Sequence, residues 1–196
     1  KSFTQDLGRH IKIGEIIWQT HAVPNINLFS YTEPNHIFVN HHWFSEVIFY
    51  LVYRFLGASA LIVLKIILIL TSFGIVYSLA FKKRPFLAFC ASSFYLFIFS
   101  YRFDVRPELF SFLFISLFMF LITKYNEKQN LALLLPLILI EVLWVNMHIY
   151  FFVGIILFAC LLFSDLVKEK KLNPKLLILF LMFPVVVLIN PYGIAG

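Results

Sequence analysis

The sequence predicts an all-α protein: a polytopic bundle of about six transmembrane helices behind an N-terminal extracytoplasmic loop that holds short and amphipathic helices. Three observations carry this. The 196 residues are 61% hydrophobic and 13% charged, with a mean hydropathy of +0.90. A soluble domain is about 45–50% apolar and about 25% charged, so too little polar surface remains to cover a water-soluble globule. Several stretches approach or reach the roughly 20 apolar residues needed to cross hydrocarbon about 30 Å thick.

The elements follow in chain order. Residues 1–42 are mixed in polarity and contain Pro24, Pro34 and several Asn. Within them, Thr4 to Gln19 has helical spacing. Residues 43–55 are apolar but too short to span. Glu46, Tyr50 and Arg54 fall at i, i+4 and i+8 there and share one helical face. Two readings are open: an amphipathic helix lying at the interface with Trp43 at headgroup level, or the first turns of a spanning helix. Spans are expected at 59–81, 86–101, 107–123, 131–147, 149–164 and 176–189, divided by charged breaks. Pro85, Pro107 and Pro174 sit near helix starts, where a missing N–H costs little. The chain reads as one membrane domain, with 1–58 as loop and interfacial helix and 59–196 as the transmembrane part. It lacks an initiator Met and stops just after Asn190-Pro191-Tyr192-Gly193, which suggests a piece of a longer protein, truncated at both ends.

Lys and Arg set the expected orientation. Alternate loops carry Lys82, Lys83 and Arg84, then Lys124 and Lys128, then Lys168, Lys170, Lys171 and Lys175. The positive-inside rule makes these cytoplasmic. The other loops then face outward and hold all six His: His10, His21, His36, His41, His42 and His148. Asp6, Glu15, Glu33, Asp104 and Glu108 lie on that side too, and so does Glu46. The formal charge of +6 therefore reports topology, and the expected partner is a lipid bilayer rather than nucleic acid. Cys90 and Cys160 sit in apolar runs without CxxC spacing and read as small buried hydrophobes. No Gly-rich phosphate loop, G-x-S-x-G or H-E-x-x-H is present.

Four constellations could carry chemistry. Asp6 and His10 are four apart and would share a helix face. They could be a base with its orienter, two metal ligands, or an incidental ion pair. His41 and His42 precede Trp43 and point different ways, so at most one reaches a given site. Arg102, Asp104, Arg106 and Glu108 crowd one short outward loop. Its guanidinium groups could bind a lipid phosphate, or pair with the acids to close the loop. Lys65 and Glu141 lie within spans, where a charge needs a partner or water. Glu141 facing a polar cavity or pairing with Lys65 would meet that need.

Ordered motifs then point to a family. Asp6-Leu7-Gly8-Arg9-His10 through Gly14-Glu15 resembles a D-L-G-W-H-L-x-x-G-E stretch of some bacterial membrane proteins. Val23-Pro24, Phe29-Ser30-Tyr31-Thr32 and Val39-Asn40-His41-His42-Trp43-Phe44-Ser45-Glu46 follow in matching order. So do Arg106-Pro107-Glu108-Leu109-Phe110-Ser111, Trp144-Val145-Asn146-Met147-His148 and Asn190-Pro191-Tyr192-Gly193. The set resembles the GT-C superfamily of integral-membrane glycosyltransferases. Arg9 replaces the usual Trp, Thr4 stands where an upstream acid often precedes, and His42 stands where the pattern has Glu.

The resemblance implies a bacterial inner-membrane enzyme that moves a sugar from a polyprenyl-phosphate carrier to an acceptor outside the cytoplasm. It implies Asp6 as the base, with His10 beside it as the second catalytic residue. It places Arg102, Arg106, His42 and His148 at the substrate. A divalent ion held with the help of His10 and His148 is one option for the cofactor. The alternatives are a flippase or transporter, a binding protein for lipid-linked glycans, or an assembly protein without chemistry.

Overall fold

The computed structural model describes residues 5–33, 36–99 and 104–195, which form helices and no strand. In order they are α1 (Gln5–Thr20), α2 (Trp43–Leu56), α3 (Ala58–Phe81), α4 (Pro85–Phe99), α5 (Glu108–Lys128), α6 (Leu135–Met147), α7 (Phe152–Glu169) and α8 (Pro174–Val187). Short 3₁₀ turns, Leu131–Leu134 and Ile149–Phe151, lead into α6 and α7. Ala58–Phe81, Glu108–Lys128 and Ile149–Glu169 are long and apolar enough to cross a membrane. The helices at α4, Leu131–Met147 and α8 are apolar but shorter.

The outer faces are as apolar as the core. Val63, Ile67 and Leu70 of α3 are exposed, as are Ile178, Leu181 and Val185 of α8, at helical spacing. Water tolerates few continuous faces of this kind, whereas lipid suits them. Cys90 and Cys160 also sit on outer faces, not in the core as expected. Hydropathy cannot tell a lipid-facing position from an inward one, because both are apolar. Inside, Phe118, Trp144, Phe158 and Phe183 are wholly buried and join α5 to α8. Their ring centroids lie 5.7 Å apart for Phe118–Trp144 and 5.0 Å for Phe158–Phe183.

Glu141 lies in this core at 0% exposure, and neither carboxyl oxygen has a hydrogen-bond partner. The expected pairing with Lys65 is therefore not made. Gly154 of α7 provides the room, since a Cβ there would collide with the Glu141 carboxyl and the Phe118 ring. An unsatisfied buried polar group costs about 1–3 kcal/mol. Replacing Glu141 with Leu or Met, close in volume, is expected to raise the unfolding midpoint in detergent. A drop in midpoint would mean that the carboxyl has a stabilising partner.

α2 is a helix of its own. Gly57 takes a φ of +80° and separates it from α3, which removes the reading of 43–55 as the first turns of a span. Two of the three residues of its polar stripe do not face water, and only Arg54 is exposed. Glu46 and Tyr50 are buried, with α1 packed against α2. Arg54 Nη1 donates to the Tyr50 hydroxyl at 2.8 Å. α1 docks through Leu7, His10, Ile13, Gly14 and Ile17. Gly14 is required at the crossing, because a Cβ would run into the Glu46 backbone and Tyr50.

Candidate functional site

Helix direction brings distant motifs to one end of the bundle. α5 begins there, α6 ends, α7 begins and α8 ends. Trp43 Nε1 at the start of α2 donates to Asn146 Oδ1 near the end of α6 at 2.8 Å. Asn146 Nδ2 in turn donates to the Ile189 carbonyl just after α8, also at 2.8 Å. α5 has 21 residues, so Lys124 and Lys128 stand roughly 25–30 Å from the Arg106 end at 1.5 Å per residue.

Glu46 is the centre of the site and is 1% exposed. His10 Nδ1 lies 2.7 Å from Glu46 Oε1, and Asn40 Nδ2 donates to Oε2 at 2.5 Å. Asn40 Oδ1 accepts from the His42 amide at 2.9 Å. The Asn40 amide donates to the Tyr192 hydroxyl at 3.1 Å, and that hydroxyl donates to the Pro24 carbonyl at 2.9 Å. Glu46 thus joins α1, α2 and the loop before α2, and Tyr192 ties that loop to the end of α8.

The sequence pairs His10 with Asp6, but the structure pairs it with Glu46. Asp6 sits at the margin of the α1–α2 contact, half-exposed, and meets Arg106 Nη2 at 3.5 Å. Arg106 therefore reaches Asp6 instead of Asp104 or Glu108. Its Nε is buried without a partner. Arg102 lies outside the described residues.

His10, His42 and His148 form a run of imidazoles. The His10 and His42 rings meet edge to face at 6.0 Å, and His42 stacks on His148 at 5.0 Å. His41 takes no part in this run. Trp144 Nε1 donates to Ser111 Oγ at 2.8 Å, and Ser111 Oγ lies 2.9 Å from His148 Nδ1. The Tyr150 amide donates to the same Nδ1, so Nδ1 accepts and Nε2 carries the hydrogen. His10 instead presents its Nδ1 to the Glu46 carboxyl.

Burial dominates the electrostatics. It pushes the His42 pKa down to about 3, helped by the charges of His148, His10 and His41. It pushes His148 down to about 4, helped by His10 and His41. Both are therefore neutral near pH 7. Folded values below the unfolded 6.5 mean that the unfolded chain binds more protons between pH 6.5 and about 4. The stability these groups provide is complete above pH 6.5 and is lost as the pH falls. The unfolding midpoint in detergent is expected to drop between pH 7.5 and pH 5, by roughly 2 kcal/mol for each histidine at pH 5. His148→Asn should flatten the slope. A flat profile in the wild-type protein would show that the imidazoles are solvated.

Among the described residues, no group of three or more His, Cys, Asp or Glu side chains is arranged to hold a metal ion. The stacking of His42 on His148 gives a reason. Nearly parallel rings, 22° apart, send their lone pairs side by side rather than to a common point.

Sequence reasoning missed Glu46, Asn40, Ser111, Trp144, Asn146 and Tyr192 as site residues. All six stand in the quoted motifs, which was the signal available for them. Comparison of the chain with protein-family models, curated proteins and solved structures finds no match.

Proposed function

We propose that this chain is the membrane part of a glycosyltransferase that moves a sugar from a polyprenyl-phosphate donor to an acceptor hydroxyl on the extracytoplasmic face, as in the GT-C superfamily it resembles. The observation that carries the reading is the meeting of the separate motifs. Polar contacts between residues from 6 to 192 gather at one end of the bundle. The six apolar segments would cross the bacterial inner membrane with this end outward and the Lys-rich turns in the cytoplasm.

The chemistry assigns each group a task. Asp6 takes the proton of the acceptor hydroxyl. The acceptor oxygen attacks C1 of the sugar, and the bond from C1 to the phosphate oxygen breaks. The polyprenyl phosphate leaves with that electron pair, and its charge is received by the part-exposed Arg106 guanidinium. The long contact between Asp6 and Arg106 opens readily when donor phosphate and acceptor enter. His42 and His148 offer neutral imidazoles to sugar hydroxyls.

The test uses the full-length protein in proteoliposomes with a labelled polyprenyl-phosphate sugar and a mixed pool of acceptors. Label appearing on an acceptor supports the proposal. Label that crosses the bilayer still on its carrier would instead identify a flippase. Label bound but neither moved nor transferred would identify a binding protein.

A further inference from the structure

One motif stays outside the polar cluster. Phe29-Ser30-Tyr31-Thr32 lies in the loop between α1 and α2, and its polar contacts are local: Ser30 Oγ accepts from the Glu33 amide at 3.0 Å. The arms of this loop pair at Ile26 and Ile37 as an isolated antiparallel bridge. The Asn27 amide donates to the His36 carbonyl at 3.0 Å and the Phe38 amide to the Asn25 carbonyl at 2.9 Å. Residues directly opposite in such a pair project to the same face. Ile26 and Ile37 therefore share a face, and the loop carries further exposed apolar side chains. Tyr31 is 100% exposed and Ile37 77%, and Ile26, Leu28 and Phe29 are exposed too. Glu33 is the only carboxylate or basic side chain other than His36 among the described residues from 24 to 38.

The root of the loop says what meets this face. The Tyr192 hydroxyl holds Pro24 and Asn40 together directly after α8. The exposed outer strip of α8 runs through Val185, Leu188 and Ile189 up to that point. The loop is therefore rooted where the exposed apolar strip of a bundle helix ends. We infer that this loop is a membrane-resting element whose Tyr31 and Ile37 settle into the headgroup region of the leaflet on the site's side. The occupant is a lipid surface. The depth is limited by the polar side chains of the loop, Asn27, Ser30, Thr32 and Glu33 among them, which hydrocarbon would not satisfy. Headgroup level is also where a Tyr finds both an apolar bed and water for its hydroxyl. The inference rests on the membrane character of the bundle and holds whatever chemistry the site performs.

Site-directed nitroxides test it in the full-length protein. Cys90 and Cys160 are first replaced by Ala. Tyr31→Cys and Ile37→Cys are then labelled, with Lys171→Cys in the exposed turn before α8 as the control, in vesicles of phosphatidylcholine and phosphatidylglycerol. Variants are compared only where they elute as the wild-type protein does. At both loop positions, collisions with oxygen are expected to exceed those at position 171 severalfold, and collisions with a water-soluble nickel chelate to fall severalfold. Chelate access equal to the control at either position overturns the inference, because the loop then stands in water. Exclusion of both reagents also overturns it, because protein, such as a second copy of this chain, then covers the face.

Discussion

Replacing Asp6 with asparagine in the full-length protein is expected to lower sugar transfer by about 10²–10⁴-fold, the usual contribution of a positioned general base. Asn keeps the size of the side chain and removes its capacity to take a proton. Asp6 is half-exposed, and its one ion pair is long. Surface pairs of that kind contribute about 0–1 kcal/mol, so the unfolding midpoint should hardly move. The contrast between lost transfer and retained stability is the informative part. Arg106→Ala is the companion change. It should slow departure of the phosphate and also weaken donor binding, whereas Asp6→Asn should act on the transfer step with little change in donor binding. Full transfer by Asp6→Asn would remove Asp6 from the mechanism and leave the buried His10–Glu46 pair as the remaining candidate for the base.

The largest effect on stability is expected at Glu46. Glu46→Ala leaves His10 Nδ1 and Asn40 Nδ2 without their acceptor in a buried site. Each buried donor left unsatisfied costs about 1–3 kcal/mol, and this change leaves two. The loss falls on the contact between α1 and α2, which the close approach of Gly14 to the Glu46 backbone also defines. Limited proteolysis should then cut within Gln5–Thr20 well before the rest of the protein, and the unfolding midpoint should fall. Glu46→Gln keeps one carbonyl oxygen for His10 or Asn40 and is expected to cost less. Because α1 carries Asp6, transfer should fall with the docking of the helix. An alanine variant with an unchanged midpoint and an uncut α1 would show that packing by Leu7, Ile13 and Ile17 alone holds the helix in place.

The helices were legible along the chain. The span expected at 59–81 appears as Ala58–Phe81, long and apolar enough to cross a membrane, while the segment expected at 131–147 appears as the shorter apolar helix Leu131–Met147. Hydropathy and charged breaks suffice for this, because a helix satisfies its own backbone wherever the apolar run is long enough. Helical spacing from Thr4 to Gln19 likewise foretold α1. The same spacing failed for the partner of His10. It identifies neighbours on one helix, such as Asp6, and carries no information about the helix that packs across from it. Glu46 stands 36 positions away in sequence and becomes a neighbour only when Gly14 lets α1 and α2 approach. The sides of Cys90 and Cys160 were hidden for a related reason, since lipid and protein interior select the same apolar residues.

Composition and periodicity alone determined that this chain is helical and membrane-like, and they ordered its apolar segments and the polar motifs between them. Only the tertiary structure decided which motifs meet: Asp6 with Arg106, His10 with Glu46, His42 with His148, and Tyr192 with the loop before α2. The reason is the range of the forces. Hydrophobicity and backbone hydrogen bonding act within a single helix and can be read from consecutive residues. A buried hydrogen bond acts over about 3 Å between groups that only helix packing brings together.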